Sequence, residues 1–149
     1  ISIQPCNIYG PLTKFNTSSG VIGSLIDKFH KAKEQSLPSI VCWGSGIARR
    51  EFLYVEDLVD ACVFLMQNYE EYDTINVGSG IDHSIREIAY LIKTTIGYEG
   101  SVEWDGSQPD GMLRKLLDST KLYKMGWKPS IPLKDGLKMT YEYHKLGVN

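Results

Sequence analysis

Trp43-Gly44-Ser45-Gly46-Ile47-Ala48-Arg49-Arg50-Glu51-Phe52-Leu53-Tyr54-Val55-Glu56-Asp57 is the stretch that decides the fold. An apolar strand, Ser39 to Trp43, ends in a turn at Gly44 and Gly46. A second short strand, Glu51 to Val55, follows two arginines. Glu56 and Asp57 then stand where a helix begins, and carboxylates there suit its dipole. Strands and a helix succeeding one another at this spacing predict an α/β protein. The same stretch carries chemistry. An aromatic plane followed by adjacent guanidinium groups suits a nucleotide diphosphate, with a ring to pack on and planar forks that match phosphate oxygens. The bland alternative for Arg49-Arg50 is a solvated charged turn.

Working outward, Ile1 to Ile8 alternates apolar and polar residues and reads as a strand, closed by the turn Asn7-Ile8-Tyr9-Gly10-Pro11. Leu12 to Gly20 is polar and loop-like. Val21, Ile22, Leu25, Ile26 and Phe29 recur at helical spacing, and Ser36 to Pro38 breaks that helix. The helix after Asp57 runs to about Tyr69, with Leu58, Ala61, Cys62 and Leu65 on one face. Thr74 to Val77 is a buried-type strand closed by Gly78 and Gly80. Ser84 and Glu87 form a Ser-x-x-Glu capping box for a helix to about Ile96. Ser101 to Trp104 is a strand, Asp105 to Asp118 a long loop, and Thr120 to Met125 and Leu133 to Leu146 are helices.

The 149 residues suffice for one ordinary domain with a sizeable core. A net charge of −2 argues against a general nucleic-acid binder, so any basic site must be local. No apolar run approaches the roughly 20 residues of a membrane span, and the start shows no signal-peptide pattern. Cys6, Cys42 and Cys62 are odd in number and form no CxxC pair, which reads as buried thiols in a reducing cytoplasm, with no metal site. Ile1 opens directly in a β pattern without an initiator methionine, so a longer parent protein is expected. A parallel sheet cut in this way leaves unpaired edges, and self-association, including a homodimer, is expected.

The loop Ser107-Gln108-Pro109-Asp110-Gly111-Met112-Leu113-Arg114-Lys115 is the second informative segment. A turn is followed at once by two cations, Asp110 suits sugar hydroxyls, and long loops in compact domains are usually functional. Its alternative is a solvated surface loop. Gly44-Ser45-Gly46 and Gly78-Ser79-Gly80 lack the third glycine of a dinucleotide fingerprint and read as strand-end turns. Tyr141-x-x-x-Lys145 ends the last amphipathic helix and reads as packing plus a solvated lysine. His30, His83 and His144 are dispersed, with no nucleophile or acid cluster beside them. Lys28, a lone lysine on its helix, reads as solvent-facing on pattern alone.

Taken together, Asn7-Ile8-Tyr9-Gly10-Pro11, Trp43-Gly44-Ser45-Gly46, Arg50-Glu51-Phe52-Leu53-Tyr54-Val55, Ile75-Asn76-Val77-Gly78 and Pro109-Asp110-Gly111 with Arg114-Lys115 resemble the C-terminal half of the GDP-L-fucose synthases. These are extended short-chain dehydrogenase/reductases. The resemblance covers nearly the whole chain. Tyr-Gly-Pro and Arg-Glu-Phe-x-x-Val give only the superfamily. The Pro-Asp-Gly-x-x-Arg-Lys loop and Phe29-His30-x-Ala32 narrow it. It implies a substrate-binding domain over residues 1–149, with Ile1–Tyr9 and Thr74–Gly78 as late strands of a Rossmann cofactor sheet.

It also implies a reaction: epimerisation at C3 and C5 of GDP-4-keto-6-deoxy-mannose, then NADPH reduction at C4. The ketone acidifies the neighbouring C–H bonds, and a Ser-Tyr-Lys set polarises it while nicotinamide gives hydride. By the same resemblance Pro5, Cys6, Asn7 and Ile8 lie against the nicotinamide half of NADP. Lys28, Trp43, Arg50, Asp110 and Lys115 contact the GDP-sugar, with Arg50 holding the diphosphate. Lys28 stands where some relatives carry arginine, which keeps charge but loses the fork.

The chain departs from that pattern in two ways. The family's glycine-rich fingerprint and its Ser and Tyr-x-x-x-Lys residues fall upstream of position 1, and Cys6 does not match the family's active-site cysteine. The loop after Tyr-Gly-Pro carries no histidine before Val21-Ile22. Gly20 stands at or near that acid/base position, and Ser18 or Ser19, the nearest hydroxyls, are poor general acids. This leaves three readings: a catalytically silent part of a fucose-synthase-like enzyme, a non-catalytic nucleotide-sugar-binding module or pseudo-enzyme, and part of another nucleotide-sugar epimerase or dehydratase.

Overall fold

The strand-turn-strand-helix reading of Trp43–Asp57 holds in the computed structural model, which describes residues 1–11, 13–16 and 20–147. The elements run β1 (Ile3–Pro5), β2 (Asn7–Tyr9), α1 (Val21–Glu34), β3 (Ser39–Trp43), β4 (Arg49–Tyr54), α2 (Val55–Asn68), β5 (Ile75–Val77) and β6 (Asp82–Ser84). They continue with α3 (Ile85–Ile96), β7 (Ser101–Asp105), β8 (Arg114–Lys115), α4 (Thr120–Lys124) and α5 (Leu133–Lys145). Glu56 and Asp57 lie in the first turn of α2. The capping box at Ser84 and Glu87 forms with both of its hydrogen bonds.

The single N-terminal strand expected over Ile1–Ile8 is instead two. β1 pairs in parallel with β5, and β2 pairs in parallel with β4. The partner changes at Cys6, whose amide still donates to the Val77 carbonyl at 3.0 Å. β3 and β7 form a separate parallel pair, Ser39↔Ser101 through Trp43↔Asp105.

β4 organises the molecule because both of its faces are buried. Successive strand residues point to opposite sides. Phe52 and Tyr54 enter one core with Ile22, Ile26 and Phe29 of α1, Ile88 and Ile92 of α3 and Leu137 of α5. Leu53 enters the other with Ala61 and Leu65 of α2, Val77 of β5, Leu122 and Trp127. Tyr9 meets Tyr54 edge-on, with ring centres 5.5 Å apart. Two short strands escaped the sequence reading: β6, antiparallel to β4, and β8, parallel to it. The segment from Asp105 to Asp118 is therefore not wholly irregular. Neither Asp82-His83-Ser84 nor Arg114-Lys115 is long or apolar enough to show a period of two. Among the described residues no helix is long and apolar enough to cross a membrane.

Candidate functional site

The arginine pair divides across β4. Arg49 Nε donates to Asp82 Oδ1 at 2.8 Å and Nη1 lies 3.6 Å from Glu87. Arg114, its register partner on β8, also pairs with Asp82. Arg114 and then Arg49 hold the Asp82 carboxyl below its usual range, and Asp82 in turn raises Arg49. The residue pattern offered both arginines to a diphosphate and the family resemblance only Arg50; strand alternation separates the two, because Arg49 is committed to the opposite face.

Arg50 points the other way. Its Nη1 donates to the Met112 carbonyl at 2.6 Å and to the Arg49 carbonyl at 2.8 Å. Nε and Nη2 make no hydrogen bond among the described residues. Lys115 is the register neighbour of Arg50 on β8 and His83 on β6. Among the described residues neither Arg50 nor Lys115 has a carboxylate partner. The sheet thus leaves one fork and one ammonium side by side without counter-charge, the pattern that a phosphate completes.

Arg50 also lines a 220 Å³ cavity with Asn7, Ile8, Tyr9, Thr13, Phe52 and residues 20–23. This joins Asn7, Ile8, Gly20 and Arg50, which the sequence proposed separately. Pro5 and Cys6 do not line it. Cys6 lies under the strand, where burial and then the charge of Glu51 push its thiol up to about 12, so it is not a nucleophile at neutral pH. Nothing lies within 4 Å of where a side chain at Gly20 would begin. Gly20→His should therefore change stability by less than about 0.5 kcal/mol, as surface substitutions do, checked by thermal melts. Ser18 and Ser19 lie outside the described residues.

Trp43 ends β3 with 76% of its surface exposed. Lys28 is not simply solvated: its Nζ reaches across from α1 to the Val41 carbonyl at 2.7 Å, two residues before Trp43. Asp110 braces the turn that follows. One carboxylate oxygen accepts from the Ser45 amide and the other from the Ser45 hydroxyl, both at 2.7 Å, and these bonds hold its pKa below the usual range. Gly44 has φ of +77°, and a Cβ there would collide with Asp110, so only glycine fits. From the other side Arg86 Nη2 donates to the Ser45 carbonyl at 2.7 Å while its guanidinium sits 5.2 Å over the Trp104 ring. Arg86 and Thr13 were not singled out in the sequence, and Tyr9, Ser45 and Phe52 stood there only within motifs without a role at the site, since each is an ordinary residue until the fold supplies its neighbour.

A depression of about 350 Å³ adjoins the cavity at Tyr9 and Phe52, lined also by Ser79, His83 and Ser130, and two larger ones lie elsewhere, about 570 Å³ on α3 and 610 Å³ beside α5. Of the larger two, the first holds Arg86, already bonded to Ser45. The second balances Lys138 with Asp135 and Glu142. Neither matches the uncompensated charge at Arg50.

Two of the three histidines are not isolated. The His30 and His144 rings stand 4.8 Å apart, Phe15 stacks on His144 at 4.3 Å, and His30 Nδ1 lies 3.1 Å from the Tyr141 hydroxyl. Tyr141 is thereby packed, and Lys145 pairs with Glu142 at 2.6 Å. Burial and then the charge of His30 lower the His144 pKa from its ordinary 6.5. The unfolded chain binds more protons below that value, so stability falls as pH drops through 6.5, and the loss is complete below the folded-state pKa. His144→Phe should flatten this slope in thermal melts between about pH 5 and 8.

Residues 1–78 match the NAD dependent epimerase/dehydratase family. The probable GDP-L-fucose synthase 1 of Oryza sativa subsp. japonica is 48% identical over 145 residues, 97% of this chain and 44% of its own length. The GDP-L-fucose synthase of Escherichia coli K12 is 43% identical over 152 residues, 95% of this chain and 47% of its own. The crystal structure of a GDP-L-fucose synthetase from Naegleria fowleri bound to NADP superposes with a TM-score of 0.92 at 27% identity, covering 98% of this chain and 46% of that one. The chain therefore spans less than half the length of these relatives. With a family match over residues 1–78, a shared fold and the strand-borne Arg50 facing a cavity, the chain belongs to the NAD dependent epimerase/dehydratase family.

Proposed function

We propose that this chain is the nucleotide-sugar-binding part of a GDP-L-fucose-synthase-like enzyme. The observation that carries this reading is the division of charge on β4: Asp82 and Glu87 pair with Arg49, and Asp82 also with Arg114, while among the described residues Arg50 and Lys115 have no carboxylate partner. Arg50 and Lys115 take the diphosphate, and Trp43 and Lys28 flank the nucleotide. Asp110 shapes the Ser45 turn, and its carboxylate is free for sugar hydroxyls only once Ser45 is exchanged for them. β1 and β5 belong to the cofactor sheet of the parent. Asn7 and Ile8 line the cavity, which supports the nicotinamide end of NADP lying against these two residues, with Pro5 and Cys6 set back from it; no glycine-rich turn in this sequence suits its pyrophosphate. When bound, the cofactor supplies the hydride.

Calorimetry with GDP and UDP tests this. GDP should bind with a dissociation constant on the order of micromolar, more tightly than UDP. An equal or absent response to GDP would refute the reading. The chain alone should not oxidise NADPH in the presence of GDP-4-keto-6-deoxy-mannose, and robust turnover would contradict its being a part.

The bare Gly20 position favours a second reading, a binding module or pseudo-enzyme without the acid/base. Restored turnover on adding the complementary half of a relative would reject that version. Val59, Val63 and Met66 leave an apolar stripe exposed along α2. Sedimentation of the isolated chain should show self-association through it, and a strict monomer would count against that.

A further inference from the structure

Glu51 is 1% exposed, the most deeply buried acid of the chain. A buried carboxylate costs free energy unless hydrogen bonds replace its water. Its Oε1 accepts from the Gly80 amide at 2.7 Å and its Oε2 from the Leu117 amide at 3.0 Å. Its own carbonyl accepts from Asn7 Nδ2 at 2.8 Å. It has no cationic partner among the described residues.

The register explains why these donors matter. β6 pairs with β4 over Arg49–Glu51, and β8 pairs over Arg49–Arg50. From Phe52 onward β4 pairs instead with β2. Glu51 therefore sits where the two flanking strands leave and the third takes over. The Leu117 amide, two residues beyond Lys115, meets the Glu51 side chain where the ladder to β8 has ended. The Gly80 amide, two residues before Asp82, does the same on the other flank. Gly78 packs so closely on this carboxylate that any Cβ would strike it.

We infer that Glu51 is the positioning residue of the diphosphate site. Its carboxylate clasps the β8 and β6 flanks to β4 and so sets Lys115 beside Arg50, while its carbonyl fixes Asn7 at the cavity wall. The inference rests on the diphosphate reading above. A residue that only supported the fold would have no reason to act on GDP through Lys115.

The test is a double-mutant cycle on the 149-residue chain, with GDP affinity by calorimetry for wild type, Glu51→Gln, Lys115→Ala and the double variant. Glu51→Gln should weaken GDP about 10-fold and speed amide exchange at Gly80 or Leu117. In its background Lys115→Ala should cost little more. Should Glu51→Gln not fold, Glu51→Asp, which keeps the charge and shortens the reach, takes its place. Independent, additive losses would overturn the inference while leaving the diphosphate reading intact. So would Gly80 and Leu117 amides that exchange freely in the wild type. A wild-type chain that binds no GDP would overturn both.

Discussion

Replacing Arg50 by alanine should lower the affinity for GDP by about 100-fold, or roughly 2.7 kcal/mol, as expected for a charge-assisted, two-pronged contact. The guanidinium is held ready by the Met112 and Arg49 carbonyls, so little ordering is needed when the anion arrives. Arg50→Lys should recover only part of the loss, because an ammonium cannot hold two oxygens in one plane. Arg49→Ala is the informative control. Arg49 faces Asp82 across the strand, so its removal should leave GDP affinity within about 2-fold while lowering the melting temperature. Equal losses from Arg49→Ala and Arg50→Ala would mean that alternation does not separate their roles.

The largest stability effect should come from Asp57→Ala, at about 3–4 kcal/mol. Asp57 is 2% exposed in the first turn of α2. Its Oδ1 accepts from the Ser130 amide and hydroxyl, each at 2.9 Å, and its Oδ2 from the Ile131 amide at 3.1 Å. Truncation removes the charge-assisted hydrogen bonds that the carboxylate makes to the part-buried Ser130 and Ile131 amides, at about 1.5–3 kcal/mol each, and takes a carboxylate from the positive end of the helix. For a chain of this size the melting temperature should drop by about 6–12 °C. Asp57→Asn keeps the shape and should lose about half as much. A drop below about 2 °C for Asp57→Ala would show that solvent or a rearranged loop replaces the carboxylate.

Periodicity and caps made most of the fold legible. α1, α2, α3 and α5 each carry an apolar face at helical spacing, and Ser84 with Glu87 marked the start of α3. What could not be read was pairing. The break at Cys6 is set by which strand lies alongside, β5 or β4, a fact outside local sequence. β6 and β8 are polar and two or three residues long, and exist because β4 offers them edges. The site divides in the same way. The aromatic plane, the arginines and the Pro-Asp-Gly loop were visible as residue types. The family resemblance singled out Arg50, but why Arg49 is taken was not legible, since that depends on Asp82, thirty-odd residues away, reaching one face of β4. The involvement of Ser45 with Asp110, 65 positions apart, was equally hidden. His30 and His144, 114 positions apart by their numbering, meet only because α5 returns against α1.

The central claim is that GDP sits on the Arg50 face of β4. Amide chemical-shift mapping of the isotopically labelled chain titrated with GDP tests it most directly. The shifts should concentrate at Trp43–Gly46, Arg50, Asn7 and residues 110–115, and Arg50→Ala should raise the GDP concentration at half-saturation about 100-fold. Shifts confined to the depression on α3, or none at saturating GDP, would contradict the account.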